Sequence, residues 1–228
     1  MSKRNKLQKF AEILAYPHVI ENFDPQNPRL LGEHGQEVQR KGKWGKAQFG
    51  NDLPITVELA CGRGEYTVAM ARQHPARNFI GVDIKGARIW KGATIALEEQ
   101  LQNVAFLRTR IEQIDLFFAE AEIDEIWITF PDPFPSKKNR RLTSPRFIER
   151  YRRVLKPRGV LNFKTDATDL FDYSVEVLEA DPKVEIRYLS KDIYAAPLYM
   201  PELEIKTYYE RMHLENQKKI KFLQCTIH

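Results

Sequence analysis

The stretch FPDPFPSKKNRR, residues 130–141, sets one carboxylate, Asp132, among three prolines and two aromatic residues, and four cations follow at once. Proline fixes φ near −65°, so Asp132 is held in a stiff loop at the mouth of a basic run. Two chemistries suit it. It is a surface ion-pair partner of Lys137, Lys138, Arg140 and Arg141, a role worth about 0–1 kcal/mol. Or it is the fixed acid that meets a group gaining positive charge, after the cations have drawn in an anionic substrate.

A second constellation is VELACGRGEY, residues 57–66. Gly62 and Gly64 permit a tight turn and close approach of a ligand to the backbone. A dinucleotide fingerprint needs a small residue three positions after the second glycine; Thr67 stands there. Glu58, Ala60, Gly62 and Gly64 instead fit the order acid-x-G/A-x-G-x-G. This resembles the nucleoside-binding loop of class I S-adenosylmethionine methyltransferases. The resemblance implies a cofactor without pyrophosphate, with a cationic end that favours a nearby acid. Asp83, at the end of the next strand, is placed to accept from the two ribose hydroxyls.

These residues need elements to position them. ITVELA (55–60), NFIGVD (78–83), NVAFLRT (103–109), EIWITF (125–130), VLNFKTD (160–166), VEIRYLS (184–190) and KFLQCTI (221–227) read as seven strands. Helices are expected over 64–74, 86–102, 111–120, 144–155, 168–180 and 202–217, the fourth opened by Ser144 and Pro145. Alternating strands and helices predict an α/β fold, Rossmann-like, with a mostly parallel sheet and helices on both faces. In such sheets ligands lie beyond the carboxyl ends of the strands. The glycine turn, Asp83, the proline loop and Asp166 all fall at strand ends. An amphipathic helix over 3–15, with Leu7, Phe10, Ile13 and Leu14 on one side, and a loop-rich stretch over 17–50 form an N-terminal extension, residues 1–50, that is expected either to be mobile or to wrap the domain. The catalytic domain is expected over 51–228.

Net charge is +5, but residues 131–160 hold ten Lys/Arg against two Asp/Glu. That excess marks either a polyanion footprint or a basic helix face with no ligand. The two cysteines, Cys61 and Cys225, are expected reduced, in a cytoplasmic protein, rather than as a disulfide. The five histidines show no metal-ligand spacing, and no apolar run approaches the ~20 residues that span a bilayer.

PDPFPSKKNRRL, FKTD (163–166) and TYYE (207–210) together resemble the tRNA (guanine-N7)-methyltransferase family over about residues 54–227. The resemblance implies S-adenosylmethionine as methyl donor, tRNA as partner, and a guanine N7 in the variable loop as target. Asp132 would be the catalytic acid and would also lie at the cofactor. Phe134 stands where the family usually has Trp. Ser136 or Lys137 takes the position of its substrate-contacting lysine. Arg110 stands where an acid or amide meets the adenine; either the backbone does that work or Arg110 stacks on the base. Asp166, Thr207, Tyr208, Tyr209 and Glu210 would surround the target base, unless TYYE is simply the first turn of a packed helix. The Lys/Arg run, with Arg146, Arg150 and Arg153, would take phosphates, and Lys3, Arg4, Lys6 and Lys9 would add a clamp. The competing readings are a methyltransferase acting on another RNA or on a small molecule, a non-catalytic RNA-binding module and a nicotinamide dehydrogenase.

Overall fold

The computed structural model describes residues 4–228 and divides into two compact units, one ending at Ala119 and the other Glu120–His228. The first unit runs α1 (Lys6–Ile13), β1 (Val19–Glu21), β2 (Ile55–Leu59), α2 (Glu65–Gln73), β3 (Asn78–Asp83), α3 (Gly86–Glu98), β4 (Val104–Arg108) and α4 (Ile114–Phe117). Its strands lie in the order β1-β4-β3-β2, and the β1–β4, β4–β3 and β3–β2 pairings are all parallel. The second unit runs β5 (Ile123–Thr129), α5 (Pro145–Val154), β6 (Leu155–Thr165), α6 (Thr168–Glu179), β7 (Val184–Ser190), α7 (Tyr208–Glu215) and β8 (Lys221–Ile227). Its order is β5-β6-β8-β7, with β5–β6 parallel and β8 antiparallel to both neighbours.

The inner strands are buried on both faces: all five residues of β2 and all six of β3 are covered, whereas β7 alternates between half-buried and exposed residues. Among the described residues there are eight strands rather than seven. The additional one is β1, whose three residues are too few to show a period, yet it pairs with β4 from Val19↔Phe106 to Glu21↔Arg108. The helix expected over 111–120 is a 3-10 turn, Ile111–Gln113, followed by the four-residue α4. The run 202–217 splits at Thr207 into a 3-10 turn, Pro201–Glu204, and α7.

The N-terminal stretch is tied down at several points. Asn5 and Gln8 form a capping box at the start of α1. Trp90 Nε1 donates to Glu12 at 2.6 Å, and Gly86 leaves room for the Phe10 ring, since a Cβ there would meet it at 2.7 Å. Ile13 is buried, while Leu7 and Leu14 face outward, so the packed seam is narrower than the four apolar residues suggest. Further on, Trp44 is fully buried, donates to the Phe117 carbonyl at 2.9 Å and stacks on Phe118.

Three glycines meet on one ring in the first unit. A Cβ at Gly64, Gly81 or Gly92 would come within 2.6, 2.9 and 2.9 Å of Phe106, respectively. Phe106 therefore fills the space beneath the glycine turn and joins α2, β3 and α3 to β4.

Candidate active site

In the first unit the chain leaves β2 through Ala60, Gly62 and Gly64, all at positive φ (59°, 56° and 68°). Gly62 faces open space, with only the Ala60 carbonyl 4.0 Å from where a Cβ would stand. Asp83 ends β3 at the same edge, because Leu59 pairs with Val82. Its Oδ2 accepts from the Gly62 N–H at 3.0 Å and its Oδ1 from the Lys85 N–H at 2.7 Å. The acid thus fixes the turn, and each oxygen keeps a lone pair for a further donor. Burial raises its pKa above the ordinary aspartate value, against the lowering effect of those two N–H groups. A buried double acceptor beside an open glycine floor fits a nucleoside carrying vicinal hydroxyls.

Glu58 sits behind the turn. It is 2% exposed, and its Oε2 accepts from the Thr67 N–H at 2.9 Å and from the Thr67 hydroxyl. It holds the first turn of α2, so Thr67, which counts against a dinucleotide fingerprint, has a definite task. Arg110 is exposed just beyond β4. Burial lifts the Cys61 thiol well above its ordinary pKa, so it is a poor nucleophile. Among the described residues both cysteines are free.

In the second unit β5 delivers the proline loop. Phe130 and Phe134 lie at φ 47° and 41°, a region bulky residues seldom enter. Two strained residues therefore bracket Asp132, whose side chain is exposed. No sequence signal announces that strain. Ser136, Lys137, Lys138 and Arg140 are exposed, and with Pro135, Asn139 and Arg146 they line an open cleft of about 580 Å³. Because β5 and β6 are parallel and Thr129 pairs with Lys164, the loop shares an edge with Asp166. Asp166 is mostly covered, paired with Lys218 at 2.8 Å and His213 at 3.4 Å.

The structure corrects two of the expected substrate contacts. Arg141 is fully buried and reaches no solvent. Its Nε donates to the Pro133 carbonyl at 3.0 Å, its Nη1 to the Asp169 carbonyl at 3.4 Å and its Nη2 to the Asp169 carboxylate. It belongs under the loop, not on a phosphate. Glu210 is likewise fully buried. It pairs with Lys164 at 2.8 Å and accepts from the Tyr194 hydroxyl at 2.7 Å. Burial lowers the Lys164 pKa although Glu210 opposes it. Thr207 caps α7 by accepting from the Glu210 N–H at 3.1 Å, while Tyr208 and Tyr209 remain exposed. Of the N-terminal clamp, Lys3 lies outside the described residues. Arg4 pairs with Glu12, and Lys6 and Lys9 lie over Phe10 and Trp90.

The fold and the glycine turn with its acid partner define a class I S-adenosylmethionine-dependent methyltransferase. Among solved structures, the 16S rRNA methyltransferase KamB matches with a TM-score of 0.66 at 16% identity, over 87% of this chain and 98% of that one. A SAM-dependent methyltransferase from Aquifex aeolicus matches at 0.54 and 13% identity, over 77% and 82%. Residues 52–223 match the family model described as "Putative methyltransferase". The chain is 47% identical to the tRNA (guanine-N(7)-)-methyltransferase of Bacteroides thetaiotaomicron, over 97% of this chain and 85% of that one. It is 45% identical to the enzyme of that name from Christiangramia forsetii, over the whole of both. The chain belongs to the tRNA (guanine-N(7)-)-methyltransferase family.

Proposed function

We propose that this chain transfers a methyl group from S-adenosylmethionine to N7 of a guanine in the variable loop of tRNA. What carries the reading is similarity along the entire chain to relatives named for this reaction; the proline loop supplies a chemical reason for it. S-adenosylmethionine, when bound, supplies a methyl group activated by its sulfonium. Gly62, Gly64 and Asp83 would hold it, with Glu58 fixing the turn from behind and Arg110 at the adenine.

Guanine N7 is a major-groove acceptor. Its lone pair carries no proton, so no residue has to act as general base. The base becomes cationic on methylation, and Asp132 stabilises that charge while accepting from the N1–H/N2–H edge. A fixed acid of this kind acts through positioning and electrostatics. Thr207, whose hydroxyl proton is not used by its cap, and Asp166, with Tyr208 and Tyr209, complete the surroundings of the base. Ser136, Lys137, Lys138 and Arg140 take phosphates, contacts that orient without reading sequence. No helix among the described residues is long and apolar enough to cross a membrane; we place the reaction in the cytoplasm, where tRNA is processed.

The decisive experiment incubates the protein with unmodified tRNA and methyl-labelled cofactor and maps the label. Label on N7 of a variable-loop guanine is expected. Label on another atom, or on none, overturns the reading.

A further inference from the structure

Three of the five residues Pro131–Pro135 are prolines and have no N–H to donate. The loop therefore has little means of bonding to itself, although Phe130, just before it, and Phe134, within it, are strained. Strain of this kind persists only where the surroundings enforce it. Between the two strained positions the backbone is held by the Arg141 side chain, whose Nε donates to the Pro133 carbonyl at 3.0 Å. Pro133 is the residue directly after Asp132.

We propose that Arg141 is a positioning residue of the reaction: a buried guanidinium that holds the Pro133–Phe134 peptide, and through it the adjacent Asp132, from below. The fork reaches two elements at once. Nη1 and Nη2 bond to Asp169 in α6, and the guanidinium carbon lies 4.6 Å from the centre of the Tyr173 ring in the same helix. The neighbouring residues add anchorage. The Thr143 hydroxyl meets Ser174 Oγ at 2.6 Å, and the Tyr151 hydroxyl donates to the Leu142 carbonyl at 2.9 Å. The loop thus stands on a base bolted to α5 and α6, with Arg141 as the bolt nearest the acid.

An ion pair alone does not explain the burial of this residue. Asp169 is 73% exposed while Arg141 is fully covered, and an exposed partner brings little stabilisation. A planar fork that serves a carbonyl and a carboxylate together does explain it, and lysine cannot reproduce that geometry. The phosphate role expected from the run of cations falls to Lys137, Lys138 and Arg140 instead.

The inference rests on the role given to Asp132, and the test separates the two. Arg141→Lys, Asp132→Asn and the double variant are compared at saturating tRNA and cofactor. Arg141→Lys is expected to lower kcat about 10- to 100-fold, with KM for tRNA, its salt dependence and cofactor affinity unchanged. The double variant is expected to lose no more than Asp132→Asn alone. Tyr173→Leu, which removes the ring face beneath the fork, is expected to lower kcat several-fold in the same way. A loss confined to tRNA affinity with a shallower salt slope would return Arg141 to the phosphates. Additive losses, a kcat within twofold of wild type, or unfolding of both Arg141→Lys and Tyr173→Leu would also overturn the inference. Wild-type turnover by Asp132→Asn would instead remove Asp132 from the reaction, whatever Arg141→Lys does.

Discussion

Asp132→Asn keeps the shape of the side chain and removes its charge. Because Asp132 is exposed, its replacement should leave thermal stability unchanged. Methyl transfer is expected to fall by about 10²–10³, the range seen when one preorganised electrostatic group is lost; single-turnover rates measure it. Asp83 makes a prediction about pH. Burial raises its pKa, yet it must be ionised to accept from both a hydroxyl and the backbone. Cofactor affinity should therefore begin to fall, on acidification, at a higher pH than an ordinary aspartate would dictate. The sign for stability is opposite. Above its raised pKa the buried charge is a cost to the fold, and protonation relieves it, so this group loses cofactor without contributing to acid unfolding. Equilibrium dialysis against pH should show the bend in wild type and a weak, flat affinity in Asp83→Asn. The glycine turn and Asp83 are legible in sequence because a turn and a strand end are local features. Arg140 and Arg141 are not: adjacent cations look alike until the chain folds and puts one outside and one inside.

The α7 element is carried by a buried charge rather than by apolar contacts. Lys164 in β6 donates to the carbonyls of Leu203 and Ile205 at 3.2 Å and pairs with Glu210, both side chains being fully covered. Removing one partner of such a pair commonly costs about 3–5 kcal/mol. Glu210→Gln should lower the urea midpoint accordingly, and Lys164→Met combined with Glu210→Leu should recover part of the loss. A Glu210→Gln protein with the wild-type midpoint but little turnover would show that Glu210 touches substrate after all. Sequence places β3, β7 and β8 to the residue because their β-branched and aromatic runs are bounded by turns. It cannot show that the lysine of FKTD and the acid of TYYE are partners, since they stand 46 positions apart in the chain. The Ser144 and Pro145 signal is right in position. The serine hydroxyl nevertheless donates back to Asn139 at 3.3 Å instead of capping α5, which again ties helix to loop.

Across the whole molecule, the charge excess of residues 131–160 is partly cancelled by folding. Arg141 is paired with Asp169, Arg152 with Glu149 and Asp181, and Lys156 with Asp124. The exposed Lys137, Lys138 and Arg140, which line the cleft beside the proline loop with Arg146, are the proposed phosphate contacts. Deleting any one of these charges should flatten the dependence of log K for tRNA on log salt by about 0.7–0.9. Alanine at any of the three should do so in filter-binding titrations, and Lys156→Ala should not. The Phe106 ring carries a different implication, for how such a sequence drifts over generations. Three glycines from separate elements border it, so none of them can acquire a methyl group while the phenyl remains. A smaller residue at 106 would not release them: a Cβ at Gly92 would still meet the Arg63 carbonyl at 2.7 Å, one at Gly81 would meet the Thr67 hydroxyl at 2.9 Å, and Gly64 stands at φ 68°. The glycines are thus held more firmly than the ring they border, because backbone and hydroxyl neighbours exclude a methyl group even where the phenyl is gone.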